Sequence, residues 1–558
     1  MSTAPRTPSP LDAASEEYVH RIAALDPTAA MEWGIGDNHG DLPDFSPAFH
    51  EAIAAEARDF LRRVDELEPG FDTVDEVTAA AARDRMGLIQ ELHDAGEDVR
   101  EVNNITTPVQ TIRTLLTMHD TSTAEGREQA TSQLACVPQA LAGYRESLEH
   151  AAARGLPAAR RQILLLAGQC DDLAASDSML ADIAGDEPPA GFAEALDAAR
   201  AAHAEFATWL REELAPRSPE AEAVGRERYA LLSQQWVGDE VDLDEAYAWG
   251  QDRLREIIAQ QEDVAAELYG AGTGVDEALQ RLNDDPAYQI HGVDALKAWM
   301  QETADGAIAA LDGVHFDVPA EIRTIECCID PSGTGGIYYV PPSADFTRPG
   351  RMYWAVPAGE TTFARWQELT TVYHEGVPGH HLQLGQALVE PDLNLWRRVD
   401  SFTSGHGEGW ALYAEKLMAE LGFHDDPGTR MGVLDAQRLR AARVVLDIGY
   451  HLGLPMPPAD IGVDAHAWTP DSAFAFLRRH VAMGEGFLTF ERDRYLGWAG
   501  QAPSYALGQR IWEELRAAYP GDAKDFHSNA LALGGLPLRV LRETLGGAAS
   551  PAVDSVDA

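Results

Sequence analysis

His374 and Glu375 stand side by side, and His380 and His381 follow within one short stretch, Tyr373-His374-Glu375-Gly376-Val377-Pro378-Gly379-His380-His381. A zinc-protease helix carries His-Glu-x-x-His: two imidazoles one turn apart hold the metal, and the glutamate between them activates water. Here the second histidine comes six or seven positions after the first. On a regular helix six residues advance roughly 9 Å and turn by about 240°, while seven return to the same face roughly 10 Å along the axis. Neither His380 nor His381 could then share an ion with His374 through zinc–nitrogen bonds of about 2.0–2.1 Å. Pro378 cannot donate to the His374 carbonyl and clashes with it, and Gly376 and Gly379 let the backbone leave helical space. A break between Gly376 and Gly379 would bring His380 into the place of the second ligand, with His381 as its competitor. Glu375 would be the general base, taking a proton from metal-activated water. The plainer reading is a broken helix end whose histidines and glutamate only cap and hydrogen-bond.

A third ligand is needed, and zinc proteases often draw a carboxylate from the next helix. Ser404-Gly405-His406-Gly407-Glu408-Gly409-Trp410 offers Glu408, between glycines at a helix start, with His406 as the alternative. Glu415 lies two turns further on the same face, placed to orient a ligand histidine. Amide hydrolysis also needs a donor to the oxyanion of the tetrahedral intermediate. Tyr505, after the loop Gln501-Ala502-Pro503-Ser504, is the first choice, followed by His527 and Tyr495. Tyr338 and Tyr339 are candidates to line a cleft and meet an extended peptide. Arg348 and Arg351 are candidates for a terminal carboxylate.

These residues need elements to hold them. From about residue 12 to 310 the chain reads as successive helices, with apolar residues three and four apart in Phe49–Leu67, Asp75–Ala95, Glu128–Ala153 and Gly191–Leu214. Residues 314–357 read as a small β segment, with Ile337-Tyr338-Tyr339-Val340 and Arg351-Met352-Tyr353-Trp354 as strands. Gly333-Thr334-Gly335-Gly336 lacks the Gly-Lys-Ser/Thr ending of a phosphate loop. Helices resume over 358–546, which carry the metal-site residues. The first dozen residues and 547–558 are expected to lack fixed structure.

With 558 residues the chain can bury a large core. Its 43 Lys+Arg against 91 Asp+Glu give a net charge of −48, which argues against nucleic acid and anionic membrane surfaces as partners. No apolar run approaches a membrane span of roughly 20 residues, and Met1–Leu11 has no signal-peptide pattern, so a cytoplasmic location is the expectation. The four cysteines, Cys136, Cys170, Cys327 and Cys328, lack metal or redox spacing and read as plain thiols.

Tyr-His-Glu-Gly-x-Pro-Gly-His-His-Leu-Gln at 373–383, followed by Gly-Glu-Gly-Trp-Ala-Leu-Tyr-Ala-Glu at 407–415, resembles the bacterial family called domain of unknown function 885. Arg494-Tyr495, Gly500-Gln501-Ala502, Tyr505, Gly508, Leu515-Arg516, Phe526-His527 and Gly535-Leu536-Pro537-Leu538 extend the likeness, as do Tyr338-Tyr339 and Arg348-Pro349-Gly350. It spans roughly residues 15–546. That family is distantly similar to helical zinc peptidases of the thimet oligopeptidase and carboxypeptidase Taq type. The resemblance implies a mainly α, zincin-like fold: a large helical shell around a deep channel, with a small sheet or hairpin. It implies one zinc ion held by His374, His380 and Glu408, Glu375 as base, and small peptides as substrate. Two alternatives stand beside it: a catalytically inactive descendant that binds ligands, and a metal-dependent hydrolase of a non-peptide amide or ester.

Overall fold

Alanine-rich stretches with a narrow apolar stripe have one way to bury it, against another helix. Pro47–Leu67 does this with Ala54, Ala57, Phe60 and Val64. Its partner Thr73–Ala95 starts at a reciprocal cap between Asp72 and Asp75 and ends on Gly96 in the left-handed region. The other two stretches also fold as helices, Ala124–Ala153 and Phe192–Trp209, the latter passing into a wider π turn at Leu210–Leu214. The computed structural model describes residues 6–185, 187–330, 336–343, 346–357 and 359–547. Over these the protein is mainly α, with two small sheets. No described helix is long and apolar enough to cross a membrane.

Among the described residues five short strands interrupt the helices: β1 (Gln289–His291), β2 (Ile325–Asp330), β3 (Ile337–Val340), β4 (Gly350–Ala355) and β5 (Thr362–Ala364). β1 pairs antiparallel with β5. β4 is the centre of the other sheet, parallel to β2 with Ile325 opposite Gly350, and antiparallel to β3 with Tyr338 opposite Tyr353. The expected small β segment is therefore a three-stranded sheet. Gly333, Thr334 and Gly335 lie outside the described residues.

The stretches distinguished in the sequence do not pack as separate units. Tyr18 stacks on Phe60 at 4.8 Å, and Phe60 meets Trp396 edge-on at 5.6 Å, so the first helices share a core with the metal-site half. A second core lies within residues 45–215. The expectation that the first dozen residues lack fixed structure is corrected from Arg6 onward. Arg6 pairs with Asp12 at 2.6 Å, Asp72 at 2.6 Å and Asp75 at 2.5 Å, and a helix begins at Pro10 behind a Ser9–Asp12 capping box. One guanidinium shared by three carboxylates ties this arm to the body. At the other end, the helix Leu538–Gly547 closes the described chain, and the tail beyond it lies outside the described residues.

Five helices position the candidate site: Arg365–Glu375, His380–Val389, Ser404–Glu420, Pro427–Leu452 and Ser504–Ala518. Ser404–Glu420 and Ser504–Ala518 touch backbone to backbone. A Cβ on Gly409 would lie 2.5 Å from the Gly508 carbonyl carbon, and one on Gly508 would collide with the Gly405 carbonyl oxygen. This approach sets Glu408 and Tyr505 on adjoining helices, with Ser404 Oγ and Ser504 Oγ joined at 2.8 Å. Gly508→Ala should force the pair apart and destabilise the protein by about 1–3 kcal/mol, read as a lower denaturant midpoint. An unchanged midpoint would contradict the close approach.

Candidate metal centre

The helix Arg365–Glu375 buries Trp366, Thr370, Tyr373 and His374, then stops. Gly376 still donates to Val372 O at 2.9 Å, the Val377–Pro378 peptide is cis, Gly379 donates to Tyr373 O at 3.1 Å, and a new helix begins at His380. Gly379 has no room for a side chain: a Cβ there would run into the His374 carbonyl oxygen and lie 2.5 Å from that of Tyr373. The Pro378 carbonyl, freed from any helix, accepts a 2.8 Å bond from the Trp410 indole. The two helices are thereby separate segments joined by a turn that is held on both sides.

The break brings His374 and His380 together, their rings 4.8 Å apart and perpendicular. Glu408 reaches them from the next helix. Its Oε2 lies 3.3 Å from His374 Nε2 and 3.6 Å from His380 Nε2, and one atom from each residue falls within 4.8 Å of the others. Bonds of about 2.0–2.2 Å to a tetrahedral ion place ligand atoms roughly 3.3–3.5 Å apart, so the spacing suits a small divalent cation. Glu408 Oε2 is buried and faces both imidazoles at ion-pair distance. A buried carboxylate needs compensating charge, from protonated imidazoles or from a cation in their place. His374, His380 and Glu408 side chains are 7%, 14% and 25% exposed, so the cluster is recessed yet reachable by solvent.

Behind the cluster, His374 Nδ1 meets Glu415 Oε1 at 2.8 Å, and the other Glu415 oxygen accepts from Thr370 Oγ1 at 2.5 Å. A proton held on Nδ1 by Glu415 leaves Nε2 as the ligand atom. The charges agree with this arrangement. Burial works against the His374 imidazolium, but Glu408 and Glu415 outweigh it and raise its pKa to about 10. Burial works against the Glu408 carboxylate too, yet the two flanking imidazoles hold it well below its ordinary range. Glu375 is pushed up by burial, with His374 and His380 opposing. An incoming cation would displace the proton from His374 Nε2 and take over its partnership with Glu408.

His381, the competitor of His380, is occupied elsewhere. Its Nε2 meets the Ile322 carbonyl and its Nδ1 the Tyr339 hydroxyl, both at 2.8 Å. The carbonyl requires the proton on Nε2, so Tyr339 donates to Nδ1; burial lowers the His381 pKa to about 4. His406 is buried beside Phe402 and Trp512 with Gln383 Nε2 3.2 Å from its Nδ1, and burial lowers it to about 3. It does not join the cluster. His527 stacks on Phe316 at 4.7 Å and pairs with the Tyr413 hydroxyl at 2.6 Å, in the core beside Trp410. Arg351 is paired with Glu326 across the sheet at 2.7 Å, and Arg348 donates to the Pro341 carbonyl at 2.8 Å. Tyr338 is exposed and stacked on Tyr353 at 5.0 Å.

Tyr505 lies with its ring 4.9 Å from the Arg443 guanidinium. Burial raises its pKa, and the charge of Glu408 adds to the rise, so the hydroxyl keeps its proton beside the cluster. Tyr495 instead donates within a buried network of Arg443 and Glu491. Sequence reasoning missed Thr370, which fixes Glu415, and Arg443. The signal was present: a threonine one turn before His374, and arginines spaced along a helix whose faces are mostly buried.

The chain belongs to the family described as "Bacterial protein of unknown function (DUF885)", which matches residues 27–545. Two solved structures share its fold over nearly their whole length. One is a "putative lipoprotein from Colwellia psychrerythraea", 19% identical, covering 96% of this chain and 98% of its own, with a TM-score of 0.80. The other is a "putative lipoprotein of unknown function from Shewanella oneidensis", 15% identical, covering 96% and 99%, with a TM-score of 0.72. No curated protein matches the sequence.

Zinc titration separates these residues. Wild type should bind one ion; His380→Ala and Glu408→Gln should lose it, while His381→Ala should keep it. Glu415→Gln should weaken binding by about 10–100-fold. Loss of zinc in His381→Ala with retention in His380→Ala would reverse the assignment.

Proposed function

We propose that this DUF885 protein is a zinc-dependent peptidase that hydrolyses amide bonds of small peptides. The observation that carries the reading is the buried Glu408 Oε2 facing His374 Nε2 and His380 Nε2 at distances that suit a shared ion. Zinc held by His374, His380 and Glu408 would acidify a water and polarise a carbonyl. Glu375 follows His374 directly at the end of the same helix and is buried with it. Its raised carboxyl pKa suits a group that takes a proton from water and returns it to a departing amine. Tyr505 supplies a protonated hydroxyl for the charge that develops on the carbonyl oxygen. Glu415 and Thr370 hold the His374 ring in position.

Glu375→Gln tests the chemistry without removing a ligand. On a mixed peptide library, zinc-loaded wild type should cleave, and Glu375→Gln should lose about 10²–10⁴ in kcat/KM while retaining its zinc. Tyr505→Phe should lose about 10²–10³. Equal turnover by wild type and Glu375→Gln would remove Glu375 as the base. Zinc-loaded wild type with no turnover on any peptide would leave a binding role.

A further inference from the structure

Tyr505 stands on the face along which two helices meet. Ser404, Gly405, Glu408 and Gly409 form one stripe of Ser404–Glu420, and Ser504, Tyr505, Gly508 and Gln509 form the facing stripe of Ser504–Ala518. Ser404 Oγ and Ser504 Oγ lie 2.8 Å apart, and Gly508 rests against the backbones of Gly405 and Gly409. Glu408 and Tyr505 are thereby carried on touching faces. A phenol still turns about two side-chain bonds, and a contact between backbones fixes neither. What holds the ring must lie on another element.

That element is Pro427–Leu452. Its Arg443 is buried, with the guanidinium carbon 4.9 Å from the centre of the Tyr505 ring and over its face. The guanidinium is itself held by its edge. Nε donates to the Tyr495 hydroxyl at 2.6 Å and Nη2 to Glu491 at 2.9 Å, and the Tyr495 hydroxyl donates in turn to Glu491. A guanidinium donates in its own plane, so bonds along the edge leave a flat face for an aromatic ring. Neutralising Glu491 does not by itself account for Arg443, because Arg494 also pairs with Glu491, at 3.2 Å. The stack also differs from those at the surface. Arg145 over Trp209, Arg510 over Trp249 and Arg516 over Tyr413 have side chains 38%, 30% and 31% exposed, against 6% for Arg443. A stack closed to water holds more strongly.

We infer that Arg443 is a positioning residue for Tyr505: anchored by Glu491 and Tyr495, it holds the phenol ring in the place from which the hydroxyl meets the substrate. The inference rests on the peptidase reading in giving that hydroxyl a substrate carbonyl to meet. Arg443 spends its donors on Glu491 and Tyr495 and acts on the reaction only through the Tyr505 ring. Its contribution therefore disappears once the Tyr505 hydroxyl is removed.

Arg443→Met removes the charge and the flat face, whereas Arg443→Lys keeps a charge for Glu491 and loses the face. In crystals of either variant the Tyr505 ring should leave its wild-type position or take a second one, while His374, His380 and Glu408 stay in place. On the peptide that zinc-loaded wild type cleaves best, Arg443→Met should lose about 10- to 100-fold in kcat with KM within about twofold. Arg443→Lys should fall between. In a Tyr505→Phe background each substitution should cost less than about twofold more, a result that an arginine serving only the fold would not give. A Tyr505 ring unmoved in both variants, or the same loss with and without the Tyr505 hydroxyl, overturns the inference. Should Arg443→Met not fold, Arg443→Lys decides by the same two readouts. Zinc-loaded wild type that cleaves no peptide removes the peptidase reading, and the ring position in the variants then decides the role of Arg443 alone.

Discussion

Two imidazoles six residues apart cannot meet on a regular helix, and the interruption between Gly376 and Gly379 is the constraint on which the site depends. The first helix ends at Glu375, the chain turns through Val377 and Pro378, and the second starts at His380. Each part of the turn is held. Gly379 packs against the carbonyls of Tyr373 and His374, and Trp410 takes the Pro378 carbonyl. Trp410 belongs to the helix that also presents Glu408 and Glu415. The segment that brings the histidines together is therefore fastened to the segment that supplies their carboxylate.

The site concentrates charge where the fold would otherwise exclude it. Glu375, Glu408, Glu415, Arg440 and Arg443 converge among buried helices, and isolated charges there would cost several kcal/mol each. Most are offset locally: Glu415 by His374 and Thr370, Arg443 by Glu491 and Tyr495. Glu408 is balanced by the imidazoles of His374 and His380. A bound cation would take over the charge balance that the imidazole protons supply, and a cluster of buried charges of this kind is where sequence-to-structure consistency gives way to function.

What was legible in the sequence was local. Histidine, proline and glycine chemistry in 373–381 pointed to a break, and the spacing of Glu408 and Glu415 on one helix face pointed to a ligand with a supporting acid behind it. Helical periodicity gave the mainly α architecture, and the aromatic runs gave the sheet. What could not be read depended on partners distant in the chain. His381 is settled by Ile322 and by Tyr339 on β3, and His527 by Phe316 and Tyr413. Arg6 looked like part of a loose terminus because its three aspartates reach it only in the fold.

The most direct test is anomalous diffraction at the zinc absorption edge from crystals grown with zinc. One peak is expected within about 2.0–2.2 Å of His374 Nε2, His380 Nε2 and a Glu408 oxygen, with Gly376–Gly379 still interrupting the helix. A peak bound by His381 or His406 instead, or crystals with no peak at this cluster at saturating zinc, would contradict the assignment.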